Sequence, residues 1–432
     1  MASMTSAPAG ESPRQMGLLD VTCIGVNSIV GSSVFLFPGR LAALLGPAAV
    51  LAFGLTGLLL VSVGLCFAEA STRFGRSGGP YLYARAAFGE WAGFSVGWLC
   101  WIAIMFSWAA VANAIAVYLG FFDPSLGSNA VVKGVAAAVI VTMGVINYRG
   151  VKLGAWTSDF FTAAKLLPLI LFVLLGLPHV RSASFASLAP HGLKPLGSAC
   201  FLAYFAFQGF EYIPVPGGEV KNPGRNLPIA LIASLLLASG LYMAIQAVAI
   251  GVYPGLAGSE RPLAEAAMQV MGPIGAALMV AGAVVSTSGY NSSVALVSPR
   301  YLVGMAEDGH IPGWFAALHP KFATPHNAIV VTTGIVLALA LLLDFNKLVD
   351  FTNVVVCAQY LSTCVAVPLL RRQGPAPEGS FRLPGGWLVP AIGIAATAWL
   401  GAQGGLGQVW WSLGILAAGL AFKATMGRRA VA

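Results

Sequence analysis

Two apolar segments of this chain are interrupted at their centres, and nothing else in it restricts the possible folds as much. The first runs Gly25-Val26-Asn27-Ser28-Ile29-Val30-Gly31-Ser32-Ser33-Val34-Phe35-Leu36-Phe37-Pro38-Gly39. The second runs Phe201-Leu202-Ala203-Tyr204-Phe205-Ala206-Phe207-Gln208-Gly209-Phe210-Glu211-Tyr212-Ile213-Pro214-Val215-Pro216. Each lies in an apolar run long enough to cross a bilayer, yet carries helix-weakening Gly, Ser or Pro near its middle. Backbone left unpaired at membrane depth survives only where it lines a cavity or is buried in protein. Matched interruptions in corresponding halves of a chain point to the binding site of a transporter.

Composition agrees with a membrane setting. Of 432 residues, 58% are hydrophobic and 9% charged, against about a quarter charged in soluble domains. Apolar stretches near the roughly 20-residue helical span recur twelve times, at 18–45, 47–68, 91–119, 131–147, 155–177, 195–215, 229–252, 266–303, 328–343, 351–370, 387–402 and 409–424. The third and eighth exceed a straight span, which predicts tilt or extension into water. An even number of spans puts both termini on one side. That side collects Arg73, Arg76, Arg85, Arg149, Lys152, Lys221, Arg225, Arg300, Arg371 and Arg372 among others, while the opposite side holds Arg40, Lys133, Arg181, Lys194, Arg261 and Lys347. The positive-inside rule predicts cytoplasmic termini. The formal charge of +8 follows from this placement and needs no nucleic-acid partner, since no soluble basic face is present.

Residues 1–15 lack the pattern of a cleavable signal, and the first apolar run is too long for one. Cys23, Cys66, Cys100, Cys200, Cys357 and Cys364 all fall within predicted spans and form no CxxC pair, so they read as small apolar residues. His179, His191, His310, His319 and His326 fall in predicted loops with no paired metal-ligand spacing, which disfavours a membrane enzyme. A channel is disfavoured because no span shows a filter motif or polar stripe.

The loops at 177–194, 253–265, 305–325 and 371–384 are too short for a separate domain. The chain divides into a tail at 1–17, a ten-helix core at 18–370 and two further helices with a short tail at 371–432. The breaks open spans one and six, which suggests two five-span repeats, about 18–177 and 195–370. An odd number of spans per repeat would invert the second relative to the first.

Further motifs run along the chain. Gly31-Ser32-Ser33-Val34-Phe35 resembles the first-helix glycine-rich signature of the amino acid–polyamine–organocation transporters. Ser77-Gly78-Gly79-Pro80-Tyr81-Leu82-Tyr83-Ala84-Arg85 is similar to their loop after helix two. Gly209-Phe210-Glu211, then Gly218-Glu219-Val220-Lys221-Asn222-Pro223 and Arg225-Asn226-Leu227-Pro228, resemble their helix six and the cytoplasmic loop behind it. Ser298-Pro299-Arg300 and Met305-Ala306-Glu307-Asp308-Gly309 look like their helix-eight exit. Order and spacing match over nearly the whole chain. The resemblance implies an all-α membrane protein of twelve transmembrane helices, with a LeuT-like 5+5 inverted repeat plus two C-terminal helices. Substrate would sit at the midplane between helices one and six.

The chemistry of an amino acid suits such a site. Free amides of Gly31, Ser32, Ser33 and Val34 at a half-helix N-terminus would meet the carboxylate, where the dipole end is positive. Free carbonyls, such as those of Ile29, Phe205 and Gln208, would meet the ammonium, and Gly209 opens the second break. Ser33 stands where the family usually has glycine. It either narrows the pocket and adds a hydroxyl, or caps the second half-helix. Phe205 is placed to close over substrate or to pack in the core. On helix three, Cys100, Ala103 and Ile104 align with pocket-lining positions, with Trp108 at the outer edge.

Lys165 lies about 15 Å of helix into the fifth span; an ionisable group at that depth is a functional residue by default, and the depth disfavours the alternative that it snorkels to the cytoplasmic interface. The resemblance implies a lysine in place of a sodium ion, next to helices one and eight, so a proton rather than sodium would be the coupling ion. Glu211 lies in the helix-six break, either as a hinge carboxylate accepting from orphan amides or as a second proton site. The hydroxyl-rich run Ser286, Thr287, Ser288, Asn291, Ser292 and Ser293 on helix eight either contacts Lys165 or bonds between helices. Glu69 is predicted to pair with Arg73 or Arg85. Glu219, Lys221, Asn222 and Arg225 read as a solvated loop or a charged latch. Together these imply a secondary active amino acid transporter in a bacterial inner membrane. It would couple to protons or exchange neutral amino acids by alternating access, with no cofactor. The alternative is an arginine or polyamine antiporter, which would need aromatic and polar groups around a cationic tail.

Overall fold

The computed structural model describes residues 14–119, 124–190, 192–259, 261–343, 352–403 and 406–429. The tail before Arg14, His191 and Lys347 lie outside them. The described residues form α-helices joined by short turns and 3-10 segments. They are α1 (Leu18–Ile29), α2 (Ser33–Leu45), α3 (Ala49–Thr72), α4 (Pro80–Phe88), α5 (Glu90–Leu119), α6 (Asn129–Arg149) and α7 (Val151–Gly176). The second half contributes α8 (Leu196–Phe207), α9 (Pro223–Val252), α10 (Pro262–Glu307), α11 (His326–Leu342), α12 (Thr352–Gln373), α13 (Leu388–Gly401) and α14 (Leu406–Arg429). Six helical stretches among the described residues are long and apolar enough to cross a membrane on their own, and the chain is a multi-pass membrane protein.

The core is the bundle of α1, α5, α7, α8, α9 and α10. Helix α10 packs on α7 and α5, α9 on α3 and α1, and α1 is clasped between α7, α9 and α10. Helix α10 is not one straight span: its 46 residues bend at Gly272, where φ is 63° and ψ −158°, a kink that its length alone did not predict. Pro273 follows immediately, and such a pair is a usual cause of a sharp kink.

Both interruptions are present. Helix α1 stops at Ile29 because Val30 leaves helical geometry, with φ −80° and ψ 83°; α2 restarts at Ser33. Helix α8 stops at Phe207, Gln208 is extended, and Gly209 takes φ +125°. No second half-helix follows. Pro214, Pro216, Gly217 and Gly218 starve the backbone of donors and rigidity, and the chain descends through 3-10 turns at Phe210–Tyr212 and Gly217–Glu219. The two breaks touch. A Cβ on Gly209 would lie 2.3 Å from the Ser28 carbonyl oxygen.

One segment departs from expectation. The stretch read as a loop after helix two contains α4, started by Pro80 at its first position after Gly79, where φ is 52°. Proline there is pre-set for the helical φ and loses no hydrogen bond. Gly89, at φ +94°, turns the chain back into α5. The cysteines are all buried and free.

The close approach at Gly209 generates a direct test. Gly209→Ala forces a side chain into positive φ, costing about 1–3 kcal/mol from backbone strain alone, and drives its Cβ into the Ser28 carbonyl. Gly240→Ala on α9, where a Cβ meets no atom within 4 Å, is the control. In detergent-purified protein the first variant is expected to lose thermal midpoint and the second to keep it. Equal midpoints would show that the breaks do not depend on this contact.

Candidate substrate site between the helix breaks

The space between the breaks is a small cleft lined by Ser28, Ile29, Gly31, Ser32 and Ser33, by Phe205 and Gln208 at the end of α8, and by Tyr212 just beyond it. Ser107 and Val111 of α5 and Tyr290 of α10 complete it, and the lining has no charged side chain. Its volume is about 30 Å³, a few times the roughly 10–15 Å³ that a water centre needs. The amides of Ser33 and Val34 occupy the first turn of α2, which has no preceding carbonyl within the helix. The ring of Phe205 lies 5.9 Å from that of Phe37 at the edge of the cleft.

The predicted residues divide. Ile29, Gly31, Ser32, Ser33, Phe205 and Gln208 line the cleft; Val34 and Gly209 lie beside it without lining it. The Ile29 carbonyl is not free, since it accepts from the Tyr242 hydroxyl at 3.0 Å and from the Gly31 amide at 2.9 Å. The Gly31 amide is thereby occupied, and the Phe205 carbonyl takes the Gln208 amide at 3.4 Å. Ser33 is not a cap: Ser32 holds the N-cap position and makes no side-chain capping bond, which leaves Ser33 at the first helical position. Cys100, Ala103 and Ile104 are buried below the cleft. Helix α5 offers Ser107 and Val111 instead, on the same stripe one to two turns further along. Trp108 is fully buried and does not form an outer edge. Ser28, Ser107, Tyr212 and Tyr290 were not expected. Spacing from Ile104 by three residues could have signalled Ser107, and the hydroxyl-rich run of α10 could have signalled Tyr290, whose hydroxyl bonds that of Ser107.

Around the cleft, side chains meet the backbone groups that the breaks release. Lys165 is fully buried on α7, and its Nζ donates to the carbonyls of Val30 at 2.6 Å and Asn27 at 3.1 Å. Ser286 of α10 also donates to Val30, at 2.9 Å, and to Gly31, at 3.0 Å. Of the α10 run, Ser286 alone shares an acceptor with Lys165, while Ser293 bonds Ser158 at 2.9 Å and the buried Ser292 hydroxyl has no protein partner among the described residues. In the second break, Glu211 is fully buried and accepts from the Gly209 amide at 2.7 Å and from Tyr360 of α12 at 2.6 Å. This contact is the one expected of a hinge carboxylate, the first of the two readings left open for Glu211, and it does not bear on the second, a proton site. Tyr242 ties the breaks together, donating at 3.0 Å to both Ile29 and Ala206.

Toward the face where α1 begins, the bundle buries charge. Arg300 of α10 and Glu219, both buried, form a two-point pair at 3.1 Å. Breaking a buried pair strands the other charge, at about 3–5 kcal/mol. The backbone carbonyl of Glu219 takes the amides of Gln15 and Met16, and the Lys221 amide donates to the Met16 carbonyl at 2.8 Å, so the N-terminal segment straps across this loop. Lys221 and Arg225 are exposed, so only Glu219 of that charged group is built into the closure. Asp308, beyond the end of α10, collects Arg76 at 2.8 Å, Arg85 at 2.8 Å and Tyr81 at 2.7 Å. Burial would raise its carboxyl, but these partners outweigh it and hold it below the usual range. What it contributes is present at neutral pH and is lost as pH falls through that lowered value. Glu69 does not pair with Arg73 or Arg85. It binds Arg371 through two bonds at 2.7 and 2.6 Å, because the folded chain brings α12 against the end of α3. Arg73 instead donates to the carbonyls of Leu370 and Gly374. His310 is buried against Glu90 at 2.8 Å, and His326 opens α11 rather than lying in a loop.

An unpaired helix start facing a helix end across a charge-free cleft can be set beside known proteins. The chain is similar to a methylthioribose transporter of Bacillus subtilis, 27% identical over 402 residues that span 89% of this chain and 87% of the relative. It is similar to the branched-chain amino acid permease BcaP of the same organism, at 26% over 411 residues, 90% of this chain and 88% of that one. The serine/threonine exchanger SteT, also from Bacillus subtilis, is 28% identical over 399 residues, 89% of each chain. The family model described as amino acid permease matches residues 16–412. The chain belongs to the amino acid permease family, within the amino acid–polyamine–organocation superfamily.

Proposed function

We propose that this permease is a secondary active transporter that holds a small neutral amino acid between its two helix breaks and moves it by alternating access. The start of α2 carries this reading: Ser32 and Ser33, at its N-terminus, line a cleft without charged side chains, opposite Phe205 and Gln208 at the end of α8. A free amino acid carries a carboxylate and an ammonium on one carbon. The N-terminus of α2 presents partial positive charge to the first and the C-terminus of α8 partial negative charge to the second. This division of labour replaces a free Ile29 carbonyl, which Tyr242 occupies. The tight cleft favours small substrates, and admitting one requires Phe205 or Gln208 to swing aside. The names of BcaP and SteT agree with amino acid cargo. The cleft does hold the aromatic and polar groups that the arginine or polyamine alternative needs, in Phe205, Tyr212, Tyr290 and Ser107, but no acidic side chain to meet a second positive charge.

The architecture suits this role. Counting α1 and α2 as one broken span and leaving α4 at the membrane edge would give twelve crossings, the number that two inverted five-helix repeats and two further helices would need. The Arg- and Asp308-bearing face would be cytoplasmic in a bacterial inner membrane, because it collects the positive loops. There the Glu219–Arg300 pair and the N-terminal strap would act as the latch that opens inward. Lys165 holds carbonyls of the α1 break, as a cation would, so loss and gain of its proton would couple to the movement of α1.

Two experiments test these points. Thermal midpoints of purified protein are expected to rise with small neutral amino acids, because a ligand that binds the folded state stabilises it by mass action. Esterified or decarboxylated analogues are expected to give no rise, having lost the group that the α2 amides hold. Putrescine or agmatine competing as well as the best amino acid would replace this reading with the polyamine one.

Uptake into proteoliposomes between about pH 5 and about pH 8 tests the lysine. Lys165→Ala is expected to flatten the pH dependence and slow net uptake. Lys165→Arg cannot substitute, because a guanidinium stays charged throughout. Unchanged pH dependence in Lys165→Ala would remove Lys165 from coupling while leaving the amino acid site standing.

A further inference from the structure

On the outer surface of α9 an apolar groove of about 650 Å³ runs down from the helix start. Arg225, Ile229, Ile232 and Leu236 form one wall at helical spacing, and Gly379 and Phe381 of the α12–α13 connection form the other. That second wall is fixed to the protein. Ser380 Oγ donates to the Thr72 carbonyl at 3.1 Å, Thr72 donates to the Phe381 carbonyl at 3.4 Å, and the Leu383 amide donates to Glu69 at 2.9 Å. Helix α9 approaches it closely, since a Cβ on Gly224 would lie 3.0 Å from the Gly379 carbonyl.

We propose that this groove is a binding site for an anionic phospholipid, with the phosphate at Arg225 and one acyl chain along Ile229, Ile232 and Leu236. Length argues for a lipid. From Arg225 to Leu236 is about 16 Å of helix, close to half of the roughly 30 Å hydrocarbon core, so the groove spans one leaflet from interface to midplane. Polarity argues the same way: the wall is apolar throughout, with Ile229 and Leu236 42% and 56% exposed, and its only charge sits at the end where α9 begins. Charge then selects the headgroup. Arg225 is exposed and has no ion-pair partner among the described residues, and Lys221 and Arg382, close in sequence to the two walls though not lining the groove, are exposed as well. A basic residue at a membrane surface favours anionic lipid by about fivefold.

The test is native mass spectrometry of the purified protein, exchanged into equal mixtures of phosphatidylglycerol and phosphatidylcholine, with thermal midpoints in parallel. Wild-type protein is expected to retain phosphatidylglycerol over phosphatidylcholine by at least about fivefold, and to be stabilised by it. Inorganic phosphate alone is expected to have no effect. Arg225→Gln is expected to bring the retention ratio close to one, Arg225→Lys to keep it, and Ile232→Trp, which fills the groove, to remove retention of both lipids. Because these side chains lie on the surface of α9, the unliganded midpoint serves as the folding control. Equal retention of the two lipids by wild type, or an undiminished preference in Arg225→Gln, would overturn the proposal. Stabilisation by phosphate alone, or a protein dimer that Ile232→Trp dissolves, would also overturn it.

Discussion

Backbone carbonyls released where α1 stops have no water to turn to, and the bundle is arranged around satisfying them. Each unmet group in a low-dielectric interior costs free energy, so the break at Ile29–Gly31 persists only because three other helices reach it. Lys165 comes from α7, Tyr242 from α9 and Ser286 from α10. Those contacts draw α7, α9 and α10 around α1. With its carbonyls held from behind, the break can leave the first amides of α2 turned toward the cleft.

The second break follows from the first. Gly209 must be glycine because it takes positive φ against the Ser28 carbonyl, and Glu211 must be buried because it holds the Gly209 amide. Tyr242 bonds both breaks at once, so a movement of α1 against α8 has to stretch or break a bond at that hydroxyl. The ion pairs found among the described residues, such as Arg300 with Glu219 and Arg76 with Asp308, do not enter the cleft. The uncharged cleft lining and the buried charges are thus separate in the bundle. Between the breaks the lining offers helix ends and hydroxyls rather than charged side chains.

Much of this was legible in the sequence because Gly, Ser and Pro rarely cluster inside an apolar run unless the helix must break there. The positions of both breaks, the burial of Lys165 and the placement of Glu211 at a hinge all followed from the cost of unpaired or charged groups in a membrane. Partners distant in the chain were not legible. Nothing local announces that Tyr242 will reach Ile29, or that Glu69 will meet Arg371 rather than the nearby Arg73. Depth along a helix was equally hidden. Cys100, Ala103 and Ile104 lie on the correct stripe of α5, but only the packed bundle shows that the cleft is level with Ser107 and Val111. Helix α4 was missed because its Gly-Gly-Pro start reads as a turn, although the same proline begins a helix.

The most direct measurement is the affinity of Gly31→Val for the best-binding amino acid, by titration calorimetry on purified protein. A Cβ at Gly31 would lie 3.8 Å from the Tyr290 ring, an ordinary contact, so the fold should tolerate the change while the added branches occupy the cleft beside the α2 amides. Recognition by the broken backbone predicts a loss of at least about tenfold in affinity, with the unliganded thermal midpoint preserved. Unaltered affinity in a folded variant would place the substrate somewhere other than between the two breaks.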